Sequence, residues 1–171
     1  TPKRDSTPED MFGKSSYESL LFSYRPVSSG KVKFFRDKNF RQYLKIIKRF
    51  ANGNKLLDIG CAHGFFARIA QTAGFEVSGI EPNENMSRFA SEELRLNVYN
   101  GTFETVQLDN LKWDVVSFTD SFEYFINPLA TLVKLKEFHL ENNGIVFIKV
   151  PNGDYFHLRH ILKTRYRISM G

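Results

Sequence analysis

Two carboxylates and a glycine turn are the residues whose types and spacing could hold a ligand. The apolar run Leu56-Leu57-Asp58-Ile59 ends in Gly60-Cys61-Ala62-His63-Gly64, and Phe65-Phe66 opens a stretch of helical periodicity. The order is therefore strand, tight turn, helix. Gly60 tolerates positive φ and leaves room for ligand atoms, while Gly64 lets the first helical turn lie close to the strand it follows. Asp58 sets the sign of the ligand charge: its carboxylate would repel a pyrophosphate and attract a ligand carrying an ammonium and a sulfonium. About twenty residues further on, as expected for the ribose-binding acid of a nucleotide fold, Phe75-Glu76-Val77-Ser78-Gly79-Ile80 ends in Glu81. That carboxylate is placed to accept hydrogen bonds from two ribose hydroxyls.

The elements that must position these groups alternate regularly. Strands are expected at 55–59, 76–80, 96–99, 114–118 and 145–150, with Leu57, Ile59, Val77, Ile80, Val115, Phe118, Val146 and Ile148 buried. Between them, Phe66, Ile69, Ala70 and Ala73 form one helical face closed by Gly74, and Asn83 to Leu94 reads as a helix with Met86, Phe89, Ala90 and Leu94 inward. Pro128 opens a helix with Leu129, Leu132, Val133, Leu135 and Leu140 inward, which Asn143-Gly144 would end. Ahead of the first strand, Phe40, Leu44, Ile47 and Phe50 recur at helical spacing after an Asp37 cap, and Asn52-Gly53-Asn54 stops the run. Ligands of open α/β sheets bind outside the carboxyl ends of the strands, so the Gly60 turn, Glu81 and the Asp120-Ser121 pair face one crevice.

Asp58-x-Gly60-x-x-x-Gly64, Gly79-Ile80-Glu81-Pro82 with Met86 one turn later, and Trp113-Asp114-Val115-Val116 together resemble the class I S-adenosylmethionine-dependent methyltransferases, over roughly residues 40 to 152. The resemblance implies an α/β fold with a Rossmann-like, doubly wound, mostly parallel sheet of order 3-2-1-4-5 and helices on both faces. It implies S-adenosyl-L-methionine as cofactor, S-adenosyl-L-homocysteine as product, and a cofactor site drawn from Asp58, Gly60, Cys61, Ala62, Gly64, Glu81, Pro82, Met86, Thr102, Phe103, Asp120 and Ser121. Thr102 and Phe103 would lie by the adenine. Ala62 stands where many members have glycine, and Tyr124 where many have histidine. Members usually continue with two further strands paired as an antiparallel hairpin, for which no sequence is found here, so the resemblance implies a C-terminally truncated domain.

Length allows one domain with a sizeable core. Residues 1–15 read as a disordered arm or tag remnant, 16–54 as an N-terminal helical cap, and 55–171 as the truncated cofactor-binding domain. No apolar run approaches the ~20 residues of a membrane span, so no membrane partner is expected. The opening residues lack a signal region, although a start at Thr1 suggests that the original N-terminus is missing; the lone Cys61 fits a reducing compartment, the cytoplasm. Formal net charge is +5, unevenly spread: Lys31, Lys33, Arg36, Lys38, Arg41, Lys45, Lys48 and Arg49 crowd one stretch, and Arg159, Lys163, Arg165 and Arg167 another. Either cluster could attract nucleic acid, but no recognised nucleic-acid motif accompanies them, and a solvated helix face is the favoured reading.

Methyl transfer from a sulfonium is an in-line displacement that positioning alone can largely accelerate. A hydroxyl acceptor could use a base, for which His157, Tyr124 and Glu123 are the candidates by position. Cys61 is read as a small residue the turn requires, and His63 as a cap or a solvent-facing side chain. The histidines and single cysteine form no ligand-spaced set, so no metal is expected. The reading is a methyltransferase acting on an O or N atom of a small-molecule acceptor; the alternatives are a nucleic-acid methyltransferase, a non-catalytic S-adenosylmethionine-binding module and, remotely, an NAD-dependent oxidoreductase, which lacks two of its three fingerprint glycines here. Without its last strands the fifth strand would expose an unpaired edge, to be covered by residues 151–171, by a second copy as a homodimer, or by sequence beyond Gly171.

Overall fold

A computed structural model describes residues 30–152. The elements in chain order are α1 (Gly30–Phe50), β1 (Lys55–Ile59), α2 (Phe65–Thr72), β2 (Glu76–Glu81), α3 (Glu84–Glu92), β3 (Asn97–Asn100), β4 (Trp113–Thr119), a 3-10 turn (Phe122–Tyr124), α4 (Pro128–Lys134), a π-helical turn (Leu135–His139) and β5 (Leu140–Lys149). The five strands form one sheet of order β3-β2-β1-β4-β5, every pair parallel. This is the doubly wound arrangement expected, with β1 at its centre.

Alternation along β1 explains how the two faces are filled. Leu56 points into a cluster with Leu44 and Ile47 of α1, Phe66, Ala67 and Ala70 of α2, Val77 and Val115. Leu57 and Ile59 point the other way, against Ile80, Trp113, Val116, Phe118 and Leu135. A strand buried on both faces must be apolar at successive positions, as Leu56-Leu57 is. The start of β1 is fixed by a side chain: the Asp114 carboxylate accepts the amide of Lys55 at 2.9 Å. Gly53 is required beside it, because a Cβ there would lie 2.2 Å from the carboxyl carbon of Asp114.

Several expectations are corrected. Asp37 does not cap a helix: α1 begins at Gly30, and Asp37 sits within it, paired with Arg36 at 3.2 Å. Phe50 is exposed, since the helix runs past the edge of the core that Leu44 and Ile47 reach. The α4 stripe is rotated from the expected one. Thr131 and Leu135 are buried, Leu132 and Leu140 are half-buried, and Leu129 and Val133 face outward, Leu129 with 72% of its surface exposed. Leu129/Val133 and Leu132/Leu135 are both helix-spaced pairs, so periodicity offers two stripes and packing uses one.

Asn143-Gly144 does not end that helix. The helix closes in the π-helical turn and β5 starts at Leu140; its pairing slips between Trp113↔Leu140 and Val115↔Ile145, so residues 141–144 bulge from the ladder. At Gly144 a Cβ would lie 2.8 Å from Leu140 Cγ. Val146 is half-buried and Ile148 and Val150 are exposed, against the expected burial of Val146 and Ile148. The physical reason is edge position: β5 has β4 on one side and, among the described residues, no strand on the other. The arm at 1–15, the helix expected over 155–166 with His157, and any cover for β5 from residues 153–171 lie outside the described residues.

Leu56→Ala should cost about 2–5 kcal/mol, the range for truncating a fully buried leucine, whereas Leu129→Ala should stay within about 0.5 kcal/mol of wild type. Denaturant titration of the two variants checks this; equal losses would contradict the packing described.

Candidate functional site

The turn after β1 folds back over the end of β2. The amides of Gly60 and Cys61 both donate to the Ile80 carbonyl, at 2.8 and 3.1 Å, and the Gly64 amide donates to Cys61 O at 2.8 Å. Gly60, Ala62 and Gly64 all adopt positive φ, of 76°, 49° and 74°. At Gly60 a Cβ would also fall 2.5 Å from Ser121 Cβ, so this glycine is fixed twice, by backbone and by close approach. Ala62 holds the same left-handed region with a Cβ, at a cost of roughly 1–2 kcal/mol.

Glu81 closes the turn from β2. Its Oε2 accepts the Ala62 amide and its Oε1 the Asn83 amide, each at 2.8 Å. Asn83 in turn caps α3, accepting the Met86 amide at 3.0 Å. Burial pushes the Glu81 carboxyl above its ordinary range, and these two amides oppose the rise. Asp58, 1% exposed, is pushed up to about 7: burial raises it, the Ser117 hydroxyl at 2.8 Å lowers it, and the charge of Glu81 raises it further. The Cys61 thiol rises well above its usual value through burial and the charges of Asp58 and Glu81, which leaves it protonated and agrees with its reading as a small residue.

From β4, Asp120 arrives in a left-handed conformation, φ 57°. Its amide donates to Lys149 O at 2.8 Å and its carboxylate pairs with the Lys149 ammonium, which ties the ends of β4 and β5 together. Ser121 is turned inward: its hydroxyl donates to Ile59 O at 2.5 Å and fastens the 120s to the end of β1. Asp58, Gly60, Cys61, Ala62, Gly64, Glu81, Asp120 and Ser121 are thus brought to one end of three adjacent strands. Pro82 lies exposed just beyond Glu81, and Met86 is buried in α3. Thr102 and Phe103 follow β3, whose end is held to Glu81 by Asn100 Nδ2 and Gly101 N donating to its carbonyl at 3.0 and 3.1 Å. Thr102 is exposed. Phe103 is 1% exposed, its ring edge-on to His139 at 5.7 Å with the Lys134 ammonium 4.5 Å from its centre, so the ring belongs to the core and a ligand could meet its backbone alone.

Of the base candidates, Glu123 and Tyr124 share the 3-10 turn after Ser121, and His157 lies outside the described residues. Burial raises the Glu123 carboxyl, with Asp120 adding to the rise and Lys149 opposing it. His63 neither caps nor points to solvent: it is half-buried between Phe65 and Phe89, at 5.8 and 5.3 Å, and burial with the nearby Arg36 guanidinium lowers its pKa. Sequence reasoning missed Ser117 and Lys149. The signal for Ser117 was its hydroxyl inside an otherwise apolar strand; for Lys149 it was a charge closing another.

A family model described as a methyltransferase domain matches residues 35–170. Over 110 residues the chain is 30% identical to the ubiquinone biosynthesis O-methyltransferase of Haemophilus ducreyi, covering 58% of this chain and 46% of that protein. Over 94 residues it is 31% identical to the 23S rRNA (uracil(747)-C(5))-methyltransferase of Pyrococcus abyssi, covering 54% of this chain and 22% of that one. Among solved structures, the plantazolicin methyltransferase BpumL in complex with a monoazolic desmethylPZN analog and SAH superposes with a TM-score of 0.67 at 19% identity, over 88% of this chain and 59% of that chain. The chain spans about half or less of the length of the curated relatives it matches.

Two stability predictions follow from the turn. Ala62→Gly should raise unfolding free energy by about 1 kcal/mol through relief of the left-handed alanine; a loss would contradict that strain. Because the Asp58 pKa is higher folded than unfolded, the folded state binds more protons between about pH 4 and pH 7, and stability falls as pH rises through that window, by on the order of 4 kcal/mol. Asp58→Asn should remove this loss and be the more stable protein near pH 8, as paired denaturant curves would register.

Proposed function

The chain belongs to the class I S-adenosylmethionine-dependent methyltransferase family, and on that premise we propose that it binds S-adenosyl-L-methionine over the Gly60 turn and methylates an O or N atom of a small-molecule acceptor. One observation carries the cofactor: Asp58 and Glu81 are buried carboxylates to which, among the described residues, no lysine or arginine is paired. Buried anions without a counter-charge are costly, and a ligand bearing an ammonium and a sulfonium supplies that charge. Fit is supported further by lone pairs. Each Glu81 oxygen accepts one amide and keeps capacity for a second donor, so two ribose hydroxyls can be added without displacing the turn. Gly60 and Gly64 hold the turn in its left-handed shape against Ser121 and Leu96, and the Phe103 amide rather than its ring is the contact proposed near the adenine.

The cofactor would supply a methyl group activated on sulfur, whose transfer leaves S-adenosyl-L-homocysteine. Around it, Asp120 and Ser121 would fix the wall of the crevice, and Glu123, with its raised pKa, is the residue we favour for taking a proton from a hydroxyl acceptor, ahead of Tyr124. A small-molecule acceptor is supported by the ubiquinone-biosynthesis relatives and the plantazolicin methyltransferase, and a cytoplasmic setting by the single thiol. A nucleic-acid acceptor is supported by the 23S rRNA methyltransferase relative and by Lys38, Arg41, Lys45 and Arg49, which line the outer face of α1 at spacings of three and four. Calorimetry against S-adenosylmethionine, S-adenosylhomocysteine and NAD tests the cofactor; a metabolite screen that follows S-adenosylhomocysteine production tests the acceptor and separates an enzyme from a non-catalytic binding module.

Glu81→Ala should weaken S-adenosylmethionine binding by about 2–4 kcal/mol, the loss of two charge-assisted hydrogen bonds, or roughly 30- to 1,000-fold in Kd. Unchanged affinity in the variant, or tighter binding of NAD than of S-adenosylmethionine by the wild type, would reject the assignment.

A further inference from the structure

We infer that Ser117 is a positioning residue for the cofactor: from the strand beside β1, its hydroxyl holds Asp58 in the ionised, oriented form that a cationic ligand needs. The inference rests on the cofactor reading above and is independent of the acceptor. Asp58 and Ser117 are register partners on β1 and β4, and both side chains are shut off from water. The hydroxyl stands 2.8 Å from Asp58 Oδ1 and 3.4 Å from the Leu57 carbonyl. It has one hydrogen to give, and the shorter contact favours the carboxylate. Packing alone does not require it: Val116 and Phe118 on either side are apolar and fully buried, and alanine or valine would fill such a strand position as well.

Among the described residues no other side chain does this for Asp58. Glu81 on β2 and the Cys61 thiol in the turn face it, the first raising its pKa and the second protonated. On β4 the only other ionisable group is Asp114, which is occupied at the far end of the strand by the Lys55 amide. Arg68, the one charge on α2, is exposed and bonded to Gln71; Arg36 on α1 is engaged with Asp37 and the Phe65 ring; Asp120 is paired with Lys149. With the carboxyl of Asp58 held near 7 even with the Ser117 bond in place, cofactor binding should expel a proton from it in weakly acidic solution, and the hydroxyl should set the pH at which that happens.

The test is calorimetry of S-adenosylmethionine binding to the 171-residue chain between pH 5.5 and 7.5, in two buffers of different ionisation enthalpy, with wild type and variants compared at the same pH so that titration of the ligand's own amino group near the top of the range cancels. Wild type should bind about tenfold more weakly at pH 6 than at a pH where Asp58 is fully ionised, with close to one proton released at pH 6. Losing one hydrogen bond raises the carboxyl by about one pH unit, so Ser117→Ala should be about tenfold weaker than wild type at pH 6 and about threefold weaker at pH 7.5. In an Asp58→Asn background the Ser117→Ala deficit should vanish at both pH values. Should Ser117→Ala not fold, Ser117→Thr and Ser117→Val make the same comparison at matched volume, the hydroxyl variant following wild type. A deficit of equal size at pH 6 and 7.5 marks a merely structural role and overturns the inference, as does a Ser117→Ala deficit that persists undiminished in the Asp58→Asn background. Affinity independent of pH in the wild type overturns the inference alone; no binding at any pH overturns the cofactor reading as well.

Discussion

Two acids buried with no cation paired to them among the described residues are the constraint on which the crevice end of this protein depends. Asp58 and Glu81 come to the same place because β1 and β2 are neighbours in register, and each is made tolerable by neutral dipoles. The amides of Ala62 and Asn83 serve Glu81, and the hydroxyl of Ser117 serves Asp58. The turn between β1 and α2 is left-handed at three positions partly so that the Ala62 amide can aim at Glu81. Its shape is therefore set by electrostatics as much as by steric allowance. Dipoles soften the cost of burying charge without cancelling it, and the remaining cost is the driving force available to a cationic ligand.

Most of the parallel sheet was legible from the chain. Five apolar runs separated by helical periodicity leave few arrangements, and β1 is found where the sequence places it. Asp58, Glu81 and the glycines were legible for a related reason: acids near the ends of buried strands gain nothing from burial itself, and glycines in a strand-to-helix junction mark backbone that a Cβ would obstruct. What was not legible depends on partners distant in sequence. Ser117 stands out in its own strand only as a hydroxyl among Val115, Val116 and Phe118, and its partner is fixed only when β4 lies against β1 in the register Asp58↔Ser117. The same applies to α4, where two helix-spaced apolar pairs compete and the sheet chooses one, and to Gly144, a helix terminator by composition that serves a bulge by geometry. Phe103 was readable as either ring contact or core, and the His139 and Lys134 side chains that hold it in the core are more than thirty residues away.

The side proposed for the acceptor follows a different logic from the side proposed for the cofactor. The ends of β4 and β5 are joined by the Asp120 and Lys149 side chains and by their backbone bond. The carboxylate of Glu123 is held close enough to that pair for both charges to act on it. Such a cluster can present a cation, an anion or a proton acceptor according to which partner a ligand displaces.

Strand order also has a consequence in time. Strands β1, β2 and β3 all fall within residues 55–100, so a ribosome releasing the chain N-terminus first delivers three neighbours of the sheet before any of β4 exists. Nascent segments can begin to assemble as soon as their contacts are local. During that interval the far edge of β1 is open and Asp58 has no Ser117 to receive a hydrogen bond from. The carboxyl of such a half-sheet is either wet or protonated. Docking of β4 therefore does two things in one step: it seals the last unpaired side of the central strand, and it delivers the hydroxyl that makes a buried charge bearable, which ties completion of the fold to readiness of the site.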